Sequence, residues 1–166
     1  MYAHYTFLSE QIAEVEAERR AQLQTSSEAS IDKVRQLMQL KGIGINGAWV
    51  LVMEFFGWRA FKNRREVGGL AGFTPTPYQS GESAREQGIT KSGNRHVRWM
   101  TTEVAWSWLR FQPDSVLSVW FRERFGRGGK RLRRIGIVAV ARKLLMALWR
   151  FLETGVLPAG AVLKEG

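Results

Sequence analysis

LKGIGING, residues 40–47, runs directly into AWVLVMEFFGW, residues 48–58. The first stretch is a glycine-punctuated turn and the second an almost unbroken apolar run. Ahead of them, residues 30–40 carry apolar side chains at helical spacing, with Ser30 as the expected N-cap and Lys33 at N3, so without a capping box. The order is helix, tight glycine turn, buried helix. Glycine at 42 and 44 permits positive φ and leaves backbone N–H groups uncovered. The chain that grows outward from this turn is expected to be mainly α.

Downstream, FKNRREVGGLA (61–71) reads as a short basic helix ending at Gly68-Gly69. A long loop from Gly72 to Gly93 follows, GFTPTPYQSGESAREQGITKSG, with room for a short hairpin around Tyr78–Ile89. From Asn94 the chain turns helical again, with Val97, Met100, Val104 and Trp108 on one stripe. Pro113 suits N1 of a further helix through about Phe125. A last helix is expected from about Leu132 to Thr154, stopped by Gly155 and Pro158.

Upstream, residues 1–30 hold five acids and two basic side chains, Arg19 and Arg20. Tyr5, Leu8, Ile12 and Val15 mark one apolar stripe, either the end of a coiled-coil seam or a helix packed on its own domain. The expected architecture is a helical bundle with a helix-hairpin-helix-like element, a long catalytic-type loop and an N-terminal amphipathic, coiled-coil-like helix. Residues 1–30 form that helix, 31–158 the main domain, and 159–166 a frayed tail.

The chain has 166 residues, a formal charge of +10 and no cysteine. Disulfides and cysteine–zinc sites are excluded, and two isolated histidines, His4 and His96, build no metal site alone. No apolar run is long enough to span a bilayer and no signal peptide is visible, so a cytoplasmic protein is expected. The charge points to a polyanionic partner. It is concentrated between Arg122 and Arg150, where ten Lys or Arg face one acid, Glu123. Within that strip, Arg127, Lys130, Arg131, Arg133 and Arg134 are candidates for following a phosphate backbone. Gly42 and Gly44 are a second candidate, because a glycine turn opening a helix can cradle phosphate as a helix-hairpin-helix does. Each has a plainer alternative: a solvated basic face, and an ordinary turn between core helices.

Ser80 lies in the long loop, beside Gly81 and near Arg85, Lys91, Asn94, Arg95 and Arg98. Serine among cationic and amide groups suits phosphate chemistry better than acyl chemistry, since arginine holds the non-bridging oxygens of a phosphodiester with paired N–H donors. No G-x-S-x-G elbow is present. His96, sixteen residues on, reads as a helix-surface residue, and Glu82 and Glu86 as solvated loop carboxylates. Taken alone, the spacing permits a serine nucleophile and does not select one.

Six pieces in a fixed order narrow the reading: G-I-G-x-x-x-A (Gly42–Ala48), F-x-x-x-R (Phe61–Arg65), L-A-G-x-x-P (Leu70–Pro75), x-Q-S-G (Tyr78–Gly81), I-x-K-x-G-N-x-x-x-R (Ile89–Arg98) and A-R-K-L (Ala141–Leu144). Over roughly residues 34–150 the chain resembles the C-terminal transposase domain of the insertion-sequence 110 family, also called the 116/110/902 group. The resemblance implies DNA recombination with Ser80 as the nucleophile that forms a phosphoserine link to DNA. It places Lys91, Asn94 and Arg98 as residues that order the loop or hold phosphate. It implies DNA and a noncoding guide (bridge) RNA as partners; a homo-oligomer is also expected. It also implies an N-terminal RuvC-like domain whose four acids bind metal, joined through a coiled coil to which residues 1–30 would belong. No four-acid site is found in these 166 residues, so Mg²⁺ is expected only with that other domain. The chain would then be a truncated product, a cut piece or one part of a split system. The rival readings are a non-catalytic helix-hairpin-helix nucleic-acid module and a piece that self-associates through the Tyr5–Val15 stripe.

Overall fold

The computed structural model describes residues 2–73, 75–76, 87–89 and 93–165. The chain is mainly helical. Its helices are α1 (Tyr2–Thr25), α2 (Ala29–Met38), α3 (Ile45–Leu51), α4 (Arg64–Leu70), α5 (Arg95–Phe111), α6 (Val116–Phe125) and α7 (Lys130–Thr154). A π-helical turn, Val52–Phe56, continues α3. Two short strands, β1 (Pro75–Thr76) and β2 (Gln87–Ile89), pair antiparallel. They stand at the two sides of the expected 78–89 hairpin, whose Tyr78 lies outside the described residues.

α7 is the central element, packing against α2, α4, α5 and α6. Its buried side chains, Ile137, Val140, Ala141, Leu144, Leu145, Leu148 and Phe151, recur at three- and four-residue spacing. That spacing puts them on one face of the helix. Gly136 lies at the α6 crossing, where a Cβ would stand 2.5 Å from Phe125 Cγ. Each large apolar side chain buried in this way contributes about 1.5–3 kcal/mol. α5 supplies Val97, Thr101, Val104, Ala105 and Trp108, close to the expected stripe, with Met100 only partly buried.

Several boundaries differ from the sequence reading. α2 begins two residues earlier, with Glu28 in place of Ser30 as an N-cap that makes no side-chain bond, so Ser30 is inside the helix. α4 starts after Asn63, whose Oδ1 accepts the Glu66 N–H at 3.0 Å, while Glu66 Oε2 accepts the Lys62 N–H at 3.4 Å. Gly68 and Gly69 lie within α4 and do not end it. Gly68 instead lets α4 approach α7: a Cβ there would sit 3.0 Å from Met146 Cε and 3.5 Å from Arg142 Nε. α6 begins at Val116, three residues after Pro113, because Ser115 caps it. The Ser115 hydroxyl accepts from the Ser118 N–H and from Trp108 Nε1, which anchors the cap to the core.

The tail is the largest departure. Residues 159–165 are docked rather than frayed. Val116 N–H donates to Ala159 O, Lys41 N–H to Val162 O and Lys164 N–H to Gln39 O. The buried Gln112 side chain donates to Lys41 O and Val162 O at 2.8 and 2.7 Å and accepts from Val162 N–H at 2.9 Å. Lys164 Nζ donates to Ile43 O at 2.6 Å, and its burial lowers the ammonium below the ordinary lysine value.

α1 has no fully buried side chain and meets the body through its second half, where Leu23 packs against the core. Arg35 holds its end: Nε donates to Leu23 O at 2.7 Å and Nη2 to Ser26 O. A cation thereby meets carbonyls that the helix end leaves open. Tyr5, Leu8, Ile12 and Val15 are all exposed, so the stripe is not buried in the core. Leu8, Ile12 and Val15 line a shallow groove that Arg19 and Asn46 complete.

Candidate nucleic-acid interface

The glycine turn divides its two candidates. Gly42 has φ +96°, the left-handed region that favours glycine. It faces α5: its carbonyl accepts from Ser107 Oγ at 2.7 Å, and a Cβ would meet Phe111 Cβ at 3.3 Å. Gly44 has φ −89°, so the positive φ expected of both glycines occurs at one. Gly44 is exposed and opens α3, and a Cβ there would meet nothing within 4 Å. Beside it, Arg19 of α1 donates to Asn46 Oδ1 at 3.0 Å and stacks over the Trp49 ring at 5.4 Å.

A different group of side chains converges around the start of α5. Asn94 is its N-cap, with Oδ1 accepting the N–H groups of His96 and Val97 at 3.0 and 3.1 Å. This cap orders the entry to the helix. Asn94 N–H donates to Leu70 O at 3.4 Å, so α5 begins against the end of α4. One turn on, Arg98 is half-buried, and its Nη1 is buried without a hydrogen-bond partner. Arg59 Nε and Arg142 Nε are in the same condition. A buried N–H of a cation left without an acceptor is costly, which makes such groups receptive to an anionic oxygen. Arg142, the arginine of A-R-K-L, lies against the other side of α4 through Gly68. Sequence reasoning selects Arg98 but passes over Arg59 and Arg142. The A-R-K-L motif carried a signal for Arg142, and nothing in the sequence marks Arg59. Arg59 stacks on Trp58 and Phe55 at 4.3 and 5.6 Å, a contact made by folding alone.

Ser80, Gly81, Arg85 and Lys91 lie outside the described residues. β1 and β2 flank the segment that holds Ser80, and α5 begins six residues after β2 ends.

The basic strip is exposed as expected. Arg127 is exposed, as is every residue of Lys130–Ile135. The first turn and a half of α7 is thus exposed, with Lys130, Arg131, Arg133 and Arg134 and no acid among them, while Leu132 folds back onto Gly128. Gly129 caps it without a side chain, and a Cβ there would meet nothing within 4 Å. The end of α6 adds Arg122 and Arg124, and a shallow groove is lined by Arg122, Glu123 and Arg127. The macrodipole adds partial positive charge at the same end of α7.

Among the described residues, no three His, Asp or Glu side chains come together to hold a metal ion. No described helix is long and apolar enough to cross a membrane.

The sequence model of the Transposase IS116/IS110/IS902 family matches residues 34–119. The chain is 43% identical over 162 residues to a Sinorhizobium fredii protein named "Putative transposase y4rJ", covering 93% of this chain and 41% of that protein. It is 26% identical over 151 residues to the transposase for insertion sequence element IS1328 of Yersinia enterocolitica, covering 90% of this chain and 43% of that protein. The chain thus spans about two fifths of the length of these relatives.

Proposed function

The chain belongs to the IS116/IS110/IS902 transposase family, and from that premise we propose that it is the DNA-handling, serine-bearing part of a transposase. The observation that carries the DNA reading is the start of α7, where four exposed cations stand on one helix end with no acid among them. Like charges held so close repel one another, and a polyanion relieves that repulsion. Arg127, Lys130, Arg131, Arg133 and Arg134 follow one stretch of phosphate backbone. At the glycine turn Gly42 serves the fold, so a helix-hairpin-helix-like backbone contact falls to the exposed Gly44 side.

In the chemical step Ser80 Oγ attacks a phosphodiester phosphorus. A Ser–O–P bond forms and the P–O bond to the departing deoxyribose breaks. The serine proton is lost to solvent, and the departing oxygen takes one up as a hydroxyl. Charge on the non-bridging oxygens grows along this path, and arginine N–H groups are suited to it. Arg98 supplies such a group from the first turns of α5, with Arg85 and Lys91 acting from the loop and Asn94 fixing where α5 begins. The motif order around Ser80 supports the serine assignment. A RuvC-like domain with Mg²⁺ and a guide RNA belong to this proposal, as the resemblance implies, and assembly through the exposed α1 stripe is added from its apolar side chains.

Two experiments test it. Binding to duplex DNA across a salt series reads the basic strip, and should weaken steeply as salt rises. A protein–DNA adduct that survives denaturation and depends on Ser80 reads the chemistry. Salt-sensitive binding with no adduct, even with the other domain present, would leave a non-catalytic nucleic-acid module.

A further inference from the structure

Trp58 and Trp99 are 64% and 56% exposed, which is unusual for the largest apolar side chain. Each has one ring face backed by a cationic or aromatic neighbour. The Arg59 guanidinium sits 4.3 Å from the centre of the Trp58 ring. The His96 ring stacks on Trp99 with centroids 6.1 Å apart and planes 19° from parallel. The two pairs are joined: His96 Nδ1 lies 2.6 Å from Glu54 Oε1, and Glu54 is followed by Phe55, over which Arg59 also stacks at 5.6 Å. The His96–Glu54 bond thus ties the π-helical turn that precedes Trp58 to the start of α5, which carries Trp99.

Resting on the reading that nucleic acid is the partner, we infer that Trp58 and Trp99 form a stacking platform for unpaired nucleobases. The physical warrant has three parts. A base in a duplex already has its faces covered, so only an unpaired base can lie on an exposed indole. The backing by Arg59 and His96 holds each ring in place before binding, which lowers the ordering cost. The charge is also complementary: the chain carries +10, and exposed Arg95 flanks His96 and can reach the backbone of a strand lying on the rings. Glu54 is the one acid named among these contacts, and it is engaged by His96. Stacking tolerates every base, so the platform confers strand form and not sequence. The basic strip at α7 reads phosphate in any strand, while this platform selects strands whose bases are free. A phosphodiester exchange needs both, since cut ends must be held while unpaired.

The experiment compares the whole chain with Trp58→Ala, Trp99→Ala and the two Phe replacements. Probes are an oligothymidine strand, the same strand with abasic sites, and a duplex of equal length. Each Ala change is expected to weaken oligothymidine binding by about five- to a hundredfold. Phe restores most of the affinity, the abasic strand binds wild type as weakly as oligothymidine binds the Ala variants, and the salt slope stays unchanged because no phosphate contact is lost. Duplex affinity moves by less than twofold. If the Ala variants bind oligothymidine as wild type does, or lose duplex and single strand equally, the platform is wrong while the basic-strip reading stands. If wild type binds neither strand form, both readings fall.

Discussion

His96 Nδ1 lies 2.6 Å from Glu54 Oε1, joining the π-helical turn after α3 to the first turn of α5. Both side chains keep solvent contact, so the pair positions the helix start more than it stabilises the fold. A double-mutant cycle of Glu54→Gln and His96→Ala should give a coupling of about 0.2–1 kcal/mol in denaturant unfolding. A coupling well above that range would show the pair to be part of the core framework.

The contact of Gly136 with Phe125 is of another kind. A Cβ at 136 would overlap the ring, so Gly136→Ala forces α6 and α7 apart. It should cost about 1–3 kcal/mol and lower Tm by several degrees. Gly129→Ala, in open space at the start of the same helix, should cost less than about 1 kcal/mol. Equal losses would contradict the packing assigned here.

Gln112 holds the C-terminal segment by two hydrogen bonds to the Val162 backbone and ties it to the glycine turn by a third, to Lys41 O. Gln112→Leu keeps the volume but leaves Lys41 O and Val162 N–H without partners, while Val162 O keeps the Lys41 N–H, and about 2–4 kcal/mol should be lost. Amide exchange at Val162 should accelerate in step. Lys164 adds a pH signature. Burial lowers its folded value below the ordinary 10.5, so the unfolded chain binds that proton more tightly. The cost is complete below the folded value and is recovered as pH rises through it toward 10.5. Measured against Lys164→Met, wild type should gain relative stability over that alkaline window, and a relative loss there would reverse the assignment.

How much of this was legible in the sequence depends on where the information lay. The α7 register could be read from Ile137 to Phe151 because burial on one face imposes its own period. The stripe on α5 could be read for the same reason. The tail could not, because residues 159–165 have no period and their anchor, Gln112, is some fifty residues away. The α4 cap was written in Asn63-x-x-Glu66 and passed over beside the more conspicuous glycine pair. Trp58 and Trp99 are indistinguishable in sequence from core tryptophans such as Trp108, since exposure is a property of the fold. Of the candidate site, the cations of α7 were legible from composition alone. The half-buried state of Arg98 and Arg142 was not.

The basic strip makes a quantitative claim. If Arg131, Arg133 and Arg134 each neutralise one phosphate, replacing all three with Ala should reduce the slope of log K against log salt by about 3 on duplex DNA. Tm should hardly change, because the three side chains are exposed. An unchanged slope would remove this helix end from the interface.

The exposed stripe of α1 makes a claim about assembly. Leu8→Glu with Ile12→Glu should lower the mass measured by light scattering and leave the fold intact, since neither residue is in the core. An unchanged mass would mean that α1 does not mediate association.

The central claim is that Ser80 becomes covalently joined to DNA. The direct measurement incubates the chain with the RuvC-like domain, Mg²⁺, guide RNA and a labelled DNA substrate, then denatures the mixture and looks for label on this chain. The account predicts an adduct that survives denaturation, maps by mass spectrometry to Ser80 and is lost in Ser80→Ala, while that variant still binds DNA. DNA exchange by Ser80→Ala at the wild-type rate, or exchange by wild type with no adduct to this chain, would contradict it.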